Sequence, residues 1–224
     1  IGTEQERISF YGIDNAEWNG INGVNDAGSR LSHVAITHLR NGILGHVDID
    51  HSEISSASGY ALGGITGSNN RVFFRGTARE NEIVGKINAY EASLFRNAIQ
   101  DDETSIGSSV LSGNEFSGGS SQITISGSVG ENNKFDGKTL VLGSSGMINT
   151  SFNSCSVGIY GGLHSMNSYS DCDFLETGYY YSEDGFSPTK LINSNLINCG
   201  LITIGATRSD YEEIDMTGNF WGYD

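Results

Sequence analysis

The chain is short of the residues that build helices, bind polyanions or ligate soft metals. It has one proline in 224 residues, Pro188, and only 17% of its residues are charged. No apolar run approaches the 18 or so residues that a membrane-crossing helix needs, so no helical span is expected. No amphipathic helical period persists over a long window, which argues against a helical fold. Basic residues are scarce, with 12 Lys and Arg against 27 Asp and Glu, a net charge of −15 and a pI near 4.5. A nucleic-acid-binding domain would carry a basic stripe, so nucleic acid is not an expected partner. Polyanions such as pectate or alginate are disfavoured too, unless Ca²⁺ bridges them to the acids. The three cysteines form no Cys–His pairing at zinc or nucleophile spacing, and no Ser-His-Asp set is visible.

Glycine is abundant instead, at 31 residues, about twice the usual share. The organising stretch is Thr189–Gly205, TKLINSNLINCGLITIG. It reads as short strands around Leu191–Ile192, Leu196–Ile197 and Leu201–Ile204, broken by Asn193, Asn195, Asn198 and Gly200, in residues that a helix would not favour. Segments of this kind recur. With Val34 (or Ile36), Ile54, Phe73, Leu94, Phe116, Phe135, Phe152, Phe174, Leu196 and Phe220 as anchors, the spacing stays near 20 residues. A fixed period of that size marks a solenoid. A single coil cannot bury its apolar face. Stacked about 4.8 Å from its neighbour, it completes the backbone ladder and shares a dry interior. The expectation is an all-β, right-handed parallel β-helix of about ten coils, the hand following from the general preference of parallel crossovers. No linker or charge boundary divides it, so residues 1–224 are expected to form one domain.

Three motifs at the start bear on family. Ile1–Phe10 (IGTEQERISF), Glu17–Ile21 (EWNGI) and Ser29–Ile36 (SRLSHVAI) stand in order, and Asn219–Gly222 (NFWG) lies near the end. This arrangement resembles secreted and surface right-handed parallel β-helix repeat proteins of the pectate-lyase-like superfamily. There an IGT-x-x-x-x-I-x-F coil precedes W-x-GI and SxLxxVxI, and N-[YFW]-WG often closes the helix. The resemblance covers essentially the whole chain and implies the fold and an extracellular or cell-surface location. It leaves function open, because the superfamily includes lyases, hydrolases, epimerases, adhesins and structural proteins. In that family coils precede the IGT block and follow the tryptophan motif, so the chain is expected to be a segment of a longer protein.

Candidate site residues fall in three places. In VDIDHSEI, Asp48 and Asp50 alternate with Val47 and Ile49, so the two acids share one strand face. They offer oxygen ligands to Ca²⁺, with a solvated acidic face as the alternative. His33, His38, His46 and His51 lie nearby and read as surface or turn histidines. In SYSDCDF, Asp171 and Asp173 flank Cys172 and form the best paired-carboxylate candidate. By the anchor register Asp171 stacks between Asn149 and Asn193, and Asp173 between Ser151 and Asn195. No basic residue joins them, so outward polar ladders are the default over catalysis. Asp101, Asp102 and Glu103 read as a solvated turn. Tyr179, Tyr180 and Tyr181 cannot all point inward; at least one is exposed, as a sugar-stacking platform or as edge packing. Cys155 and Cys199 fall at one offset two coils apart, beyond disulfide reach. Cys172 falls at another, so three buried free thiols are expected.

The functional expectation is a non-catalytic extracellular structural or adhesive segment. The alternatives are a polysaccharide-active enzyme fragment, lyase or hydrolase, and a carbohydrate-binding module. The partner in either alternative is a polysaccharide or cell-surface glycan.

Overall fold

The computed structural model describes residues 2–23, 29–65, 71–100, 103–118, 122–172, 174–178, 180–182, 185–187, 189–204 and 215–222. Among them strands of three to five residues predominate, and nearly all pair in parallel. The chain is a parallel β-helix with three faces. Residues 189–204 show the plan of one coil: strand Thr189–Ile192 on the third face, Asn195–Ile197 on the first and Leu201–Ile204 on the second. Asn193 and Asn198 sit at the corners with φ of 50° and 51°. Asparagine tolerates this left-handed conformation better than most residues, which explains its recurrence in the stretch. Among the described residues nine strands stack on the third face, and the bridge between Lys190 and Asp215 continues it. The first and second faces merge into one sheet of nineteen strands, because Glu53–Leu62 and Glu82–Tyr90 each run through both.

The core is built from residues in vertical register. On the first face Ile36, Ile54, Ile83, Ile99, Phe116, Phe135, Phe152, Tyr169 and Leu196 follow one another, all buried. The aromatic rings among them stack at centroid distances of 4.7, 5.3 and 4.7 Å, tilted by 11°, 8° and 3°. This column corrects four anchors. Leu94 is buried on the third face, between Ala78 and Leu111. Phe174 lies on the second face, opposite Ser156 and Leu201, and Tyr169 takes its place over Phe152. Phe73 precedes the bridge residue Phe74, the buried one of the two. At the last coil it is Trp221 that faces Leu196, and Phe220 is exposed. The cause is insertion. Antiparallel pairs Gly64–Ile65 with Arg71–Val72, and Tyr180–Ser182 with Gly185–Ser187, leave the coil as excursions. They lengthen two repeats, and an average period near 20 conceals the shorter plain coil.

A second interior column binds the coils through side-chain amides and hydroxyls. Just before the first-face strands from Glu53–Leu62 onward stand Ser52, Asn81, Asn97, Asn114, Asn133, Thr150, Asn167, Ser194 and Asn219. The backbone N–H of Asn97 donates to Asn114 Oδ1 at 3.0 Å, and that of Asn114 to Asn133 Oδ1 at 3.0 Å. Asn114 Nδ2 in turn donates to Leu94 O at 2.8 Å. Each side chain thus satisfies backbone groups that the bend removes from the sheet ladder.

Candidate functional site

The densest cluster of chemically active side chains lies on the early coils, where third-face strands Ser29–Ser32, Val47–Asp50 and Thr77–Arg79 run together. In register Arg30 stands beside Asp48, Ser32 beside Asp50, and Asp50 beside Arg79. With Ile49 turned into the core, alternation places Asp48 and Asp50 outward on one face, as the sequence led one to expect. The residue after each of these strands turns the corner in the left-handed region: His33 (φ 53°), His51 (48°), Glu80 (55°) and, one coil on, Arg96 (51°). Four successive corners therefore carry polar side chains in a vertical row.

These side chains form a continuous network. Arg30 Nε donates to Asp50 Oδ2 at 2.7 Å, and Ser32 Oγ donates to Asp50 Oδ1. His51 meets Asp50 Oδ1 through Nδ1 at 3.2 Å and Glu80 Oε2 through Nε2 at 2.6 Å. Arg96 Nη2 closes the row on Glu80 Oε1 at 2.5 Å. The His33 ring stacks on His51 at 5.1 Å. Burial opposes ionisation of Asp50, but hydrogen bonds from Ser32, His51 and Arg30, with the Arg30 charge, outweigh it. They hold this carboxyl below its ordinary value.

Two open grooves flank the row. One, of about 220 Å³, is lined by Arg30, Asp48, Ile49, Asp50, Thr77 and Arg79. Asp48 is exposed there and accepts the Thr77 backbone N–H at 3.0 Å. The Arg79 guanidinium lies over the Phe95 ring, 6.0 Å from its centroid. The other groove, of about 390 Å³, has Arg7, His33, His51, Glu53, Glu80 and Glu82 in its lining. Among the described residues no group of three or more His, Cys, Asp or Glu could hold a metal ion.

The remaining candidates are placed differently. Asp171 is exposed at a first-face corner with φ 51°, and its Oδ1 accepts Asn198 Nδ2 at 3.3 Å. Its column holds Ser154 and Asn198, not Asn149 and Asn193, which belong to the corner after the third face. The displacement follows from Tyr169 being the true anchor of that coil. Asp173 and Tyr179 lie outside the described residues, as do Asp101 and Asp102. Tyr180 and Tyr181 belong to the antiparallel excursion. Glu103 pairs with Lys86 at 3.0 Å. His38 Nδ1 contacts Thr37 Oγ1 at 2.9 Å, while His46 is exposed. Cys172 shares a column with Cys155 and Cys199, again because Tyr169 and not Phe174 sets the register; Cys199 is only part-buried.

Sequence reasoning missed Arg30, Ser32, Arg79, Glu80 and Arg96. One signal was present: all arginines but Arg208 fall before residue 100. Only the coil stacking shows that Glu80 follows His51 across an excursion.

No known protein family matches the chain, and no curated protein matches it. Among solved structures, the A-module of the mannuronan C-5 epimerase AlgE4 from Azotobacter vinelandii is similar over 91% of this chain and 84% of that chain. The sequence identity is 13% and the TM-score 0.38.

Proposed function

We propose that the chain is a non-catalytic β-helical segment of an extracellular or cell-surface protein, and that its early coils bind a carbohydrate along the groove beside Asp48 and Arg79. The observation that carries this reading is the groove itself. Its open lip sets the exposed Asp48 carboxylate among Arg30, Thr77 and Arg79. A carboxylate offers two acceptor oxygens and a guanidinium a planar fork of donors, a combination that suits vicinal hydroxyls. The Asp50 network behind fixes the lip. The location outside the cell rests on the likeness of the coil motifs to secreted β-helix proteins.

The non-catalytic part rests on His51. Both of its ring nitrogens face carboxylates, so neither is placed to take a proton from a substrate hydroxyl. The second reading, a polysaccharide lyase or hydrolase, draws on the closeness of Asp50, His51 and Glu80 at the rim of the larger groove. A glycan array and a polysaccharide cleavage screen, each run with Ca²⁺ and with chelator, separate the two. The expected result is binding without cleavage, weakened about tenfold or more in Asp48→Ala and Arg79→Ala at unchanged melting temperature. Product release that His51→Ala abolishes would replace this reading with the enzymatic one. Failure to bind any glycan would reduce the chain to a spacer.

A further inference from the structure

The later coils bring all three thiols onto one corner column. Strand Ser168–Ser170 pairs in register with Asn195–Ile197, Ser170 opposite Ile197. The Asp171 N–H then donates to Ile197 O at 3.0 Å and the Gly200 N–H to Cys172 O at 2.9 Å. Cys172 and Cys199 therefore occupy the same position one coil apart. At a strand spacing of about 4.8 Å they lie within the Cα separations that disulfides span, about 4.4–6.8 Å. Their side chains turn the same way. Cys172 Sγ lies 3.6 Å from both Ser170 O and Phe152 O, and Cys199 Sγ lies 3.6 Å from both Ile197 O and Tyr169 O. Cys155, the next rung, is buried and donates to Asn153 O at 3.2 Å.

We propose that Cys172 and Cys199 are a modification site: they form an inter-coil disulfide by exchange with a small-molecule disulfide, closing the loop that carries the tyrosine hairpin. Cys199 is the entry point because it alone of the three thiols is part-exposed. The neighbouring S–H of Cys172 also draws its thiol down from the ordinary value, which raises its thiolate fraction. In the first step the Cys199 thiolate attacks one sulfur of the oxidant, such as oxidised glutathione. A mixed disulfide forms, the oxidant's S–S bond breaks and one glutathione thiolate leaves. In the second step Cys172 loses its proton to solvent, attacks Cys199 Sγ and expels the second glutathione thiolate. The protein loses two electrons and two protons, and the oxidant is reduced to two thiols. Cys155, sealed behind Cys172, stays reduced.

The test uses the full chain treated with oxidised glutathione and mapped without reduction. The expected outcome is an intramolecular link between tryptic peptides 139–190 and 191–208, retained in Cys155→Ser, with one titratable thiol left in the wild type. The oxidised form should melt at higher denaturant concentration than the reduced form, since the cross-link restricts the unfolded loop. Three free thiols after treatment, a link from Cys155, or an intermolecular link would each overturn the proposal. Equal melts of oxidised and reduced protein would overturn its loop-closing role.

Discussion

Between Ser29 and Arg96 the coils add charged ties across their outer corners to the neutral columns inside, whereas from Ser93 to Ile197 the neutral columns carry almost all of the joining. Asp50 with Arg30 and His51, Glu80 with His51 and Arg96, and Arg75 with Glu91 all fall in the first region. Beyond residue 103 the one ion pair among the described residues is Lys134–Glu115. The stacked Phe116, Phe135, Phe152 and Tyr169 fall in the second, with the longest unbroken run of the asparagine column leading into it. The two kinds of tie differ in strength. Part-exposed ion pairs contribute about 0–1 kcal/mol each. A buried ring or a buried amide with several partners costs more to remove. The side chains best placed to meet a partner are thus the ones the fold depends on least.

The largest expected effect is on the neutral side. Phe135→Ala removes the ring between Phe116 and Phe152 and should lower unfolding free energy by about 3–5 kcal/mol. Denaturant melts measure this, and a loss below about 1 kcal/mol would break the contrast. Acid gives the next effect. His164 is fully buried between Met147 and Leu191, and neither ring nitrogen has a hydrogen-bond partner of good geometry. Burial pushes its pKa down to about 4, with partial offset from the backbone of Gly161 and Ser145. An unfolded histidine, near 6.5, binds protons more readily, so protons favour the unfolded chain. Stability should be full above about pH 6.5 and fall by about 3 kcal/mol as pH drops towards 4. His164→Leu should flatten that slope. Asp50, held below its ordinary carboxyl value, acts in a lower window: its contribution is present above about pH 4 and lost on further acidification. If the loss between pH 6.5 and 4 persists in His164→Leu, another group is responsible.

A smaller loss, about 2 kcal/mol, is expected for Asn114→Ala. That change leaves the Asn97 N–H and Leu94 O without partners inside the wall. Hydrogen exchange should show the opening confined to neighbouring coils, as a solenoid with nearest-neighbour coupling requires. The smallest effect belongs to the charged side. Arg75→Ala removes a pair with Glu91 at 2.5 Å and a contact over the Tyr90 ring at 5.2 Å. Both partners are part-exposed, so the loss should stay below about 1 kcal/mol and shrink with added salt.

The coil plan could be read from Thr189–Gly205 because the strands there are short, rich in large apolar residues and closed by asparagine or glycine. The asparagine column was legible too, as a repeated N-x-[IF] in NEI (81–83), NAI (97–99), NEF (114–116) and NKF (133–135). Its role in satisfying corner backbone groups was not, since that depends on what stands one coil away. Asp48 and Asp50 were recognised as a shared face. Their partners were not, because Arg30 and Glu80 reach them only through stacking. Phe174 misled because it is a large apolar residue at a plausible distance from Phe152, while Tyr169 sits at the true repeat.

The sequence by itself determined the architecture: alternation inside short strands, turn-forming residues between them and a recurring period leave a stacked parallel solenoid as the way to bury these side chains. Which residue stands over which was decided by the tertiary structure. The two antiparallel excursions change the count between coils without changing the stacking, so vertical neighbours cannot be found by adding a fixed number. That register brings Asp50 against Arg30 and His51, and Cys172 against Cys199, where hydrogen bonding between adjacent coils holds them about one strand spacing apart.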